Sequence, residues 1–353
     1  MGNRVIKYFD AIREATDLSM QKDPSVYIMG LGVPDPKGIF GTTLGLQEKY
    51  GTDRVMDMPC SENGMTGVAI GSALVGMRPI LTHQRVDFAL LSMEQIVNQA
   101  AKWHYMFAGQ MNVPLVIRLI IGRGWGQGPQ HSQSLESWFA HIPGLKVVMP
   151  TTPYDAKGLL ITSIEDNNPV IFIEHRWLHN ISGHVPEGIY RVPIGKPKIL
   201  RKGSDITIVA TSFMTLEAVR AQEYLSGFGI EAEVIDLRTL RPLDDTLILT
   251  SVKKTGRLLV VDTGWTSCGI GSEIIARVTE KGFSYLTTAP QRLGLPDVPT
   301  PTSPALSNHY YPQAETLVRM VLKMLKKKTS GKSIPKLHEG PLDVPDMSFT
   351  GPF

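Results

Sequence analysis

Short apolar runs and amphipathic stretches alternate along almost the whole chain. The runs at 26–30, 54–58, 79–82, 113–121, 145–149 and 169–174 are rich in Val, Ile and Leu. Between them, 4–21, 64–77, 87–107, 134–141 and 152–166 carry their apolar positions at helical spacing. Strands apolar on both faces and separated by helices are expected to lie parallel in a sheet covered on both sides. A polar stretch bearing Pro and Gly follows at about 176–204, and then a second series begins. Ile206–Ala210, Ala232–Leu237, Leu258–Val261 and Leu286–Ala289 predict strands there, while 214–227, 245–254, 270–281 and 314–327 predict helices. The pattern as a whole predicts an α/β chain of two doubly wound domains, 1–180 and 205–328, with a linker at 181–204. From 329 to 353 the periodicity fades into a Pro-rich segment, which reads as an extended tail lying on a surface or on a partner.

Composition narrows the classes without choosing among them. At 353 residues the chain is long enough for two ordinary cores, and 42% hydrophobic with 20% charged residues suits a water-soluble globular protein. A net charge of +3 offers no footprint for nucleic acid. The run Lys326-Lys327-Lys328 reads as a solvated helix end. Val113–Ile121, the longest apolar stretch, is too short to span a bilayer and contains Arg118, so no membrane role is expected. Two cysteines, Cys60 and Cys268, make no disulfide framework and suit a reducing compartment; both read as small buried hydrophobes. The N-terminus has no apolar core of signal-peptide type, so the expected location is cytoplasmic, or an organelle matrix after processing.

The most informative single residue is Glu62. It follows the strand-like run Arg54–Pro59 and opens a helix in Pro59-Cys60-Ser61-Glu62-Asn63-Gly64. A carboxylate just past the C-terminal end of a strand sits where open α/β sheets bind ligands. It is equally placed to complement the positive end of a helix that Ser61 caps.

Its company decides between these. Residues 57–64, Gly67-Val68-Ala69-Ile70-Gly71 and Gly76-Met77-Arg78-Pro79 resemble the beta subunit of thiamine-diphosphate-dependent 2-oxoacid dehydrogenases. The likeness continues through Asp87-Phe88, Gln95–Lys102, Gly128-Pro129-Gln130-His131-Ser132-Gln133-Ser134, Trp138-Phe139-Ala140-His141 and Pro143–Val148. It extends to Asp155–Leu160, to Glu233–Leu240 and to Pro242-Leu243-Asp244. The resemblance therefore covers about 4–325. It implies a transketolase-like pyrimidine-binding domain followed by a transketolase C-terminal-like domain.

What the resemblance implies for the site can be stated residue by residue. Glu62 would be catalytic, its carboxylate hydrogen-bonded to the cofactor's pyrimidine ring. Phe88 would stack on that ring, although a core Phe at a helix start explains the same residue, and Gln84 and Cys60 would lie beside the cofactor. His131 would face the substrate carbonyl and the acyl acceptor, where an imidazole can polarise a carbonyl or move a proton near neutral pH. Glycines at 122, 124, 126 and 128 make its loop permissive, yet the loop is neither a Walker loop nor a GxGxxG fingerprint. His141 belongs to the same motif but reads as structural.

The sequence departs from the family pattern at His83-Gln84-Arg85, where acidic, apolar or small residues are usual, and at Glu174–His179. Arg85 and His83 therefore read as substrate contacts; Arg85 would pair with a carboxylate or phosphate, or else form an inter-subunit salt bridge. Histidines and cysteines show no zinc-ligand spacing. The resemblance implies a monovalent cation such as K⁺ on backbone oxygens around Ser163, Ile164, Asp166 and Asn168; a plain helix-to-strand turn explains them equally. No Gly-Asp-Gly motif for Mg²⁺ and the diphosphate occurs in the sequence. Half of the site is thus expected from a partner alpha subunit in an α₂β₂ heterotetramer, with a lipoyl acyltransferase core as a further partner. Two rival readings stand beside this one. The first is a split transketolase-like enzyme moving a ketol or acyl unit to a sugar-like or carbonyl acceptor. The second is a non-catalytic assembly subunit.

Overall fold

The computed structural model describes residues 4–123, 126–327, 334 and 342. The expectations for Gly124 and, Ile334 and Leu342 apart, for the 329–353 tail lie outside the described residues.

The first half runs β1 Val5–Lys7, α1 Tyr8–Lys22, β2 Val26–Met29, α2 Leu46–Tyr50, β3 Val55–Met56, α3 Glu62–Leu74 and β4 Arg78–His83. It continues with α4 Val86–Ala89, α5 Trp103–Met106, β5 Val116–Ile121, α6 Glu136–His141, β6 Lys146–Val148, α7 Pro153–Glu165, β7 Val170–His175 and β8 Ser182–His184. The second half runs β9 Lys198–Arg201, β10 Ile206–Ala210, α8 Ser212–Ser226, β11 Ala232–Asp236, β12 Thr239–Arg241, α9 Thr246–Thr255 and β13 Leu258–Trp265. It closes with α10 Ile270–Gly282, β14 Gln291–Leu295, α11 Pro304–Tyr310 and α12 Ala314–Met324.

Two sheets organise these elements. The first has the order β12-β6-β7-β5-β4-β2-β3 and is parallel except where β12 joins β6 antiparallel. Successive residues of a strand point to opposite faces, and both faces here are apolar. Ile80 and Ile120 pack toward α1 and α7, whereas Leu81 and Ile121 pack toward α3 and α6. The second sheet, β14-β13-β10-β11-β9, is parallel except for β9. Its α8 and α12 face builds a separate core, while its other face shares one apolar cluster with the first domain, from Ile117 and Val147 to Val209 and Ile248. Through that cluster and β12 the two domains hold one another.

Several elements differ from the sequence expectations. The first helix starts at Tyr8 because Val5–Lys7 pairs antiparallel with Ser182–His184, inside the expected linker. The expected 87–107 helix is broken: a short turn at Leu90–Ser92 leads into a wide stretch at Gln95–Ala100, where Ala101 N bonds Ile96 O, five residues back. Wide turns of this kind recur near functional sites. The last strand of the second sheet is Gln291–Leu295, not Leu286–Ala289. Cys60 and Cys268 are both exposed, against the expectation of buried hydrophobes. Each sits on a connection, Cys60 between β3 and α3 and Cys268 at φ 55 before α10, where no core closes over it. Among the described residues no helix is long and apolar enough to cross a membrane.

Candidate active site

Because β2, β3, β4, β5 and β7 are parallel, their C-terminal ends share one edge of the sheet, where such folds bind ligands. The connection after β3 delivers Glu62 to the first turn of α3. His83 ends β4, Gln84 and Arg85 follow it, Asp87 and Phe88 lie in α4, and the connection after β5 carries His131. With Cys60 on the link before α3, seven of the expected residues therefore lie on one edge.

Phe88 and His131 are brought into direct contact. Their ring centroids are 5.5 Å apart with planes at 85°, an edge-to-face arrangement, and both rings are half-buried. Gln133 Nε2 fastens the histidine's loop to the Phe88 turn by donating to Asp87 Oδ1 at 2.7 Å. The other oxygen of Asp87 is buried without a hydrogen-bond partner, and burial raises the carboxyl's pKa. Glu62 is half-buried, and among the described residues nothing donates to its carboxylate. A carboxylate left open at a helix N-terminus can accept a hydrogen bond from a ligand.

Gln84 is turned away from this pair, its Nε2 donating to Leu31 O at 3.0 Å. Cys60 stands exposed on the link before α3. His83 is 2% exposed, its Nε2 has no partner, and burial pushes its pKa down to about 4, so the ring is neutral at physiological pH. Arg85 is 4% exposed and spends its donors on the His131 loop: Nη1 reaches Gly122 O at 3.4 Å and Nη2 reaches Gln127 Oε1 at 2.5 Å. Burial lowers its pKa to about 10, which leaves it charged. Arg85 and Arg176 flank the Phe40 ring at 5.9 and 4.3 Å. Gly122 takes φ +103 and a Cβ there would meet the buried His175 ring at 2.5 Å, so only glycine fits where the loop leaves β5.

Ser163, Ile164, Asp166 and Asn168 lie at the opposite edge, before β7 begins. Arg78 Nη1 donates to Ile164 O at 3.0 Å and Asp166 O at 3.1 Å, Asp166 N donates to Ser163 O at 3.3 Å, and Lys146 pairs with Asp166. Arg78 thus already serves two of the carbonyls expected to hold a metal ion. His141 is exposed at the end of α6, on the wall of an interdomain groove of about 1010 Å³.

Two features escaped the sequence reading. Arg118 of β5 and Glu174 of β7 form a fully buried ion pair, with Arg118 Nε at 2.6 Å from Glu174 Oε1 and His179 Nε2 at 3.1 Å from Oε2. Burial works against the Glu174 charge, but Arg118 and His179 outweigh it and hold the carboxyl at about 2. Glu136 of α6 and Asp262 of β13 meet across the domain boundary, both buried and Glu136 completely so. Thr263 Oγ1 donates to Glu136 Oε1 at 3.2 Å and Thr211 Oγ1 to Asp262 Oδ1 at 3.0 Å. Burial raises the pKa of both, and one oxygen of each has no other partner, as fits two carboxyls holding a proton between them. No spacing rule links residues 126 positions apart.

Comparison with known proteins agrees with this architecture. Residues 4–180 match the family described as Transketolase, pyrimidine binding domain, and residues 195–317 match Transketolase, C-terminal domain. The acetoin:2,6-dichlorophenolindophenol oxidoreductase subunit beta of Cupriavidus necator is 45% identical, over 90% of this chain and 96% of its own length. That of Bacillus subtilis is 42% identical, over 91% and 98%. The mitochondrial pyruvate dehydrogenase E1 component subunit beta-1 of Oryza sativa subsp. japonica is 43% identical, over 88% and 84%. A solved structure, the inactive beta4 tetramer of a split gene transketolase, superposes with TM-score 0.74 at 24% identity, over 91% of this chain and 99% of that one, and shares its fold. The chain belongs to the transketolase family of two-domain α/β proteins, among the beta subunits of dehydrogenase E1 type, as the resemblance in its motifs implied.

Proposed function

We propose that this chain is the beta subunit of a thiamine-diphosphate-dependent 2-oxoacid dehydrogenase. It would act with an alpha subunit in oxidative decarboxylation and passage of the acyl unit to lipoamide. The observation that carries this reading is the Phe88–His131 contact on the edge where Glu62 opens α3. Relatives named as beta subunits of acetoin and pyruvate dehydrogenases support it.

The residues present fit the cofactor's aminopyrimidine end. Glu62 has an open carboxylate able to bond a ring nitrogen, and Phe88 presents a half-buried aromatic face. When bound, thiamine diphosphate supplies the electron sink for cleaving the bond next to the substrate carbonyl. Glu62 would hold the proton at the pyrimidine ring, in the role a positioned general acid or base plays. His131, steadied by Phe88 and by the Gln133–Asp87 bond, would donate to or accept from the substrate's carbonyl oxygen. Neutral His83, with its open Nε2, offers a hydrogen bond without adding charge. Arg85 would contribute by bracing the loop through Gly122 and Gln127, and only secondarily as a contact for an anionic substrate.

The partner would bring the Mg²⁺ and diphosphate contacts, since the chain carries no Gly-Asp-Gly motif. An α₂β₂ heterotetramer, a lipoyl acyltransferase core and a cytoplasmic setting belong to this reading. Monovalent-cation binding at Ser163–Asn168 would require the ion to share Ile164 O and Asp166 O with Arg78. The test is reconstitution with the alpha subunit. Pyruvate, a branched-chain 2-oxoacid and acetoin are supplied as donors, with a dye or lipoamide, and separately an aldose, as acceptor. Turnover to dye or lipoamide supports the reading; turnover to the aldose alone would replace it with the transketolase-like one.

A further inference from the structure

Arg123 is the first residue of the His131 loop whose side chain leaves its own domain, and its surroundings are unusually complete. It is 4% exposed, and its guanidinium lies over three rings: Trp177 at 4.2 Å, Tyr311 at 4.3 Å and Phe213 at 5.0 Å. Its Nη1 donates to the backbone carbonyl of Leu342 at 2.6 Å. Trp177 follows β7 in the first domain, Phe213 opens α8 and Tyr311 follows α11 in the second, and Leu342 lies beyond residue 317, where the family match ends. One side chain thus ties both domains to the C-terminal segment.

Leu342 is itself seated. It is 8% exposed, packs with Leu295, Tyr310 and Tyr311, and its N–H donates to Asn308 Oδ1 at 3.2 Å. On the other side of Arg123, Gly122 O and Gln127 Oε1 are held by Arg85, and a Cβ on Gly128, which takes φ +73, would meet Thr302 Oγ1 at 2.5 Å. The loop that presents His131 is therefore clamped between the sheet edge and the second domain, with Leu342 completing the second jaw.

We infer that the seated Leu342 is the anchor that fixes Arg123, and that Arg123 is the positioning residue through which this contact holds the His131 loop against Phe88. A buried guanidinium needs its planar donors matched, and a backbone carbonyl fixed by a seated leucine provides a rigid acceptor. Losing the anchor leaves a buried donor unmet and frees the loop's first residue. An ammonium cannot replace the guanidinium, because it lacks the planar fork of donors. This inference rests on the proposed role of His131 for its consequence, but not for its geometry.

The test is hydrogen exchange, followed by mass spectrometry, of the full-length chain with its alpha subunit. Leu342→Ala and Arg123→Lys are compared with the parent. Peptides spanning 127–134 are expected to exchange at least ~10-fold faster in both variants, while β4 and β5 keep their protection. Parent-like exchange of those peptides in both variants would overturn the Arg123–Leu342 anchor. In the same preparations, kcat/KM for the 2-oxoacid should fall at least ~10-fold with exchange at the cofactor's reactive carbon unchanged; equal losses in both would overturn the positioning role. If the parent turns over no 2-oxoacid, the functional reading fails, while the exchange data still decide the Arg123–Leu342 anchor.

Discussion

The Phe88 ring meets the His131 imidazole edge to face, with centroids 5.5 Å apart, and so couples two loops that leave different strands of one sheet. Edge-to-face pairs contribute roughly 0.5–1.5 kcal/mol beyond burial, enough to bias a loop but not to determine a fold. His131→Ala is therefore expected to leave folding intact and to lower substrate-dependent turnover by ~10²-fold or more, the usual scale for a lost acid–base group. Exchange at the cofactor's reactive carbon should stay within a few-fold of the parent. An equal loss in that exchange would move His131 from the substrate to cofactor activation.

Glu62→Gln should do the reverse. Gln keeps the shape and can still bond, but cannot hold the proton, so exchange at the reactive carbon and overall turnover should both drop by at least ~10²-fold. Stability should change by only about 0.3–1 kcal/mol, the scale of one charge at a helix start. Parent-like exchange rates in the variant would remove Glu62 from the catalytic assignment.

The succession of strands and helices and the placing of Glu62, Phe88 and His131 on one sheet edge were legible because each is written locally: apolar runs of strand length, a carboxylate just past one of them, a motif around the histidine. What was not legible depends on distant partners. Val5–Lys7 reads as helix until Ser182–His184 offers it a ladder. The 87–107 stretch has helical spacing, but one wide turn changes its register midway. Arg85 looked like a clamp for a substrate anion, since nothing nearby in sequence claims it; Gln127 and Gly122 do so in space. Arg78 is the same case at the opposite edge, reaching Ile164 and Asp166 some 86 and 88 positions away. Long side chains carry their information farther than a periodicity can.

The Glu136–Asp262 contact should make stability depend on pH in an unusual direction. Burial raises both carboxyl pKa values, so the folded chain keeps a proton that the unfolded chain gives up near the ordinary carboxylate value of 4.5. This contribution is fully present below that range and is lost as pH rises. For one proton the slope approaches about 1.4 kcal/mol per pH unit until the folded pair titrates. Glu136→Gln supplies a permanent donor to Asp262 and removes the proton uptake. Its urea midpoint should equal or exceed the parent's at pH 8.5 and fall relative to it at pH 5.5. Curves for parent and variant that run parallel between those values would show that the pair does not hold the proton.

Purified without an alpha subunit, the chain should be catalytically silent and should bind thiamine diphosphate weakly. The Glu62 edge offers a carboxylate, an aromatic face and an imidazole, which suit the aminopyrimidine and the substrate but not a diphosphate. Among the described residues no group of three His, Cys, Asp or Glu side chains is placed to hold a metal ion. Arg85, the cation nearest that edge in sequence, is already spent on Gln127 and Gly122. The exposed Trp138 and the groove of about 1010 Å³ between the domains leave apolar surface that favours association of the lone chain without making it active. Calorimetric titration of thiamine diphosphate with Mg²⁺ should give a dissociation constant at least ~10²-fold weaker than for the reconstituted pair, a difference of about 2.7 kcal/mol. Tight binding with 2-oxoacid turnover by the lone chain would replace the two-chain enzyme with a self-sufficient one.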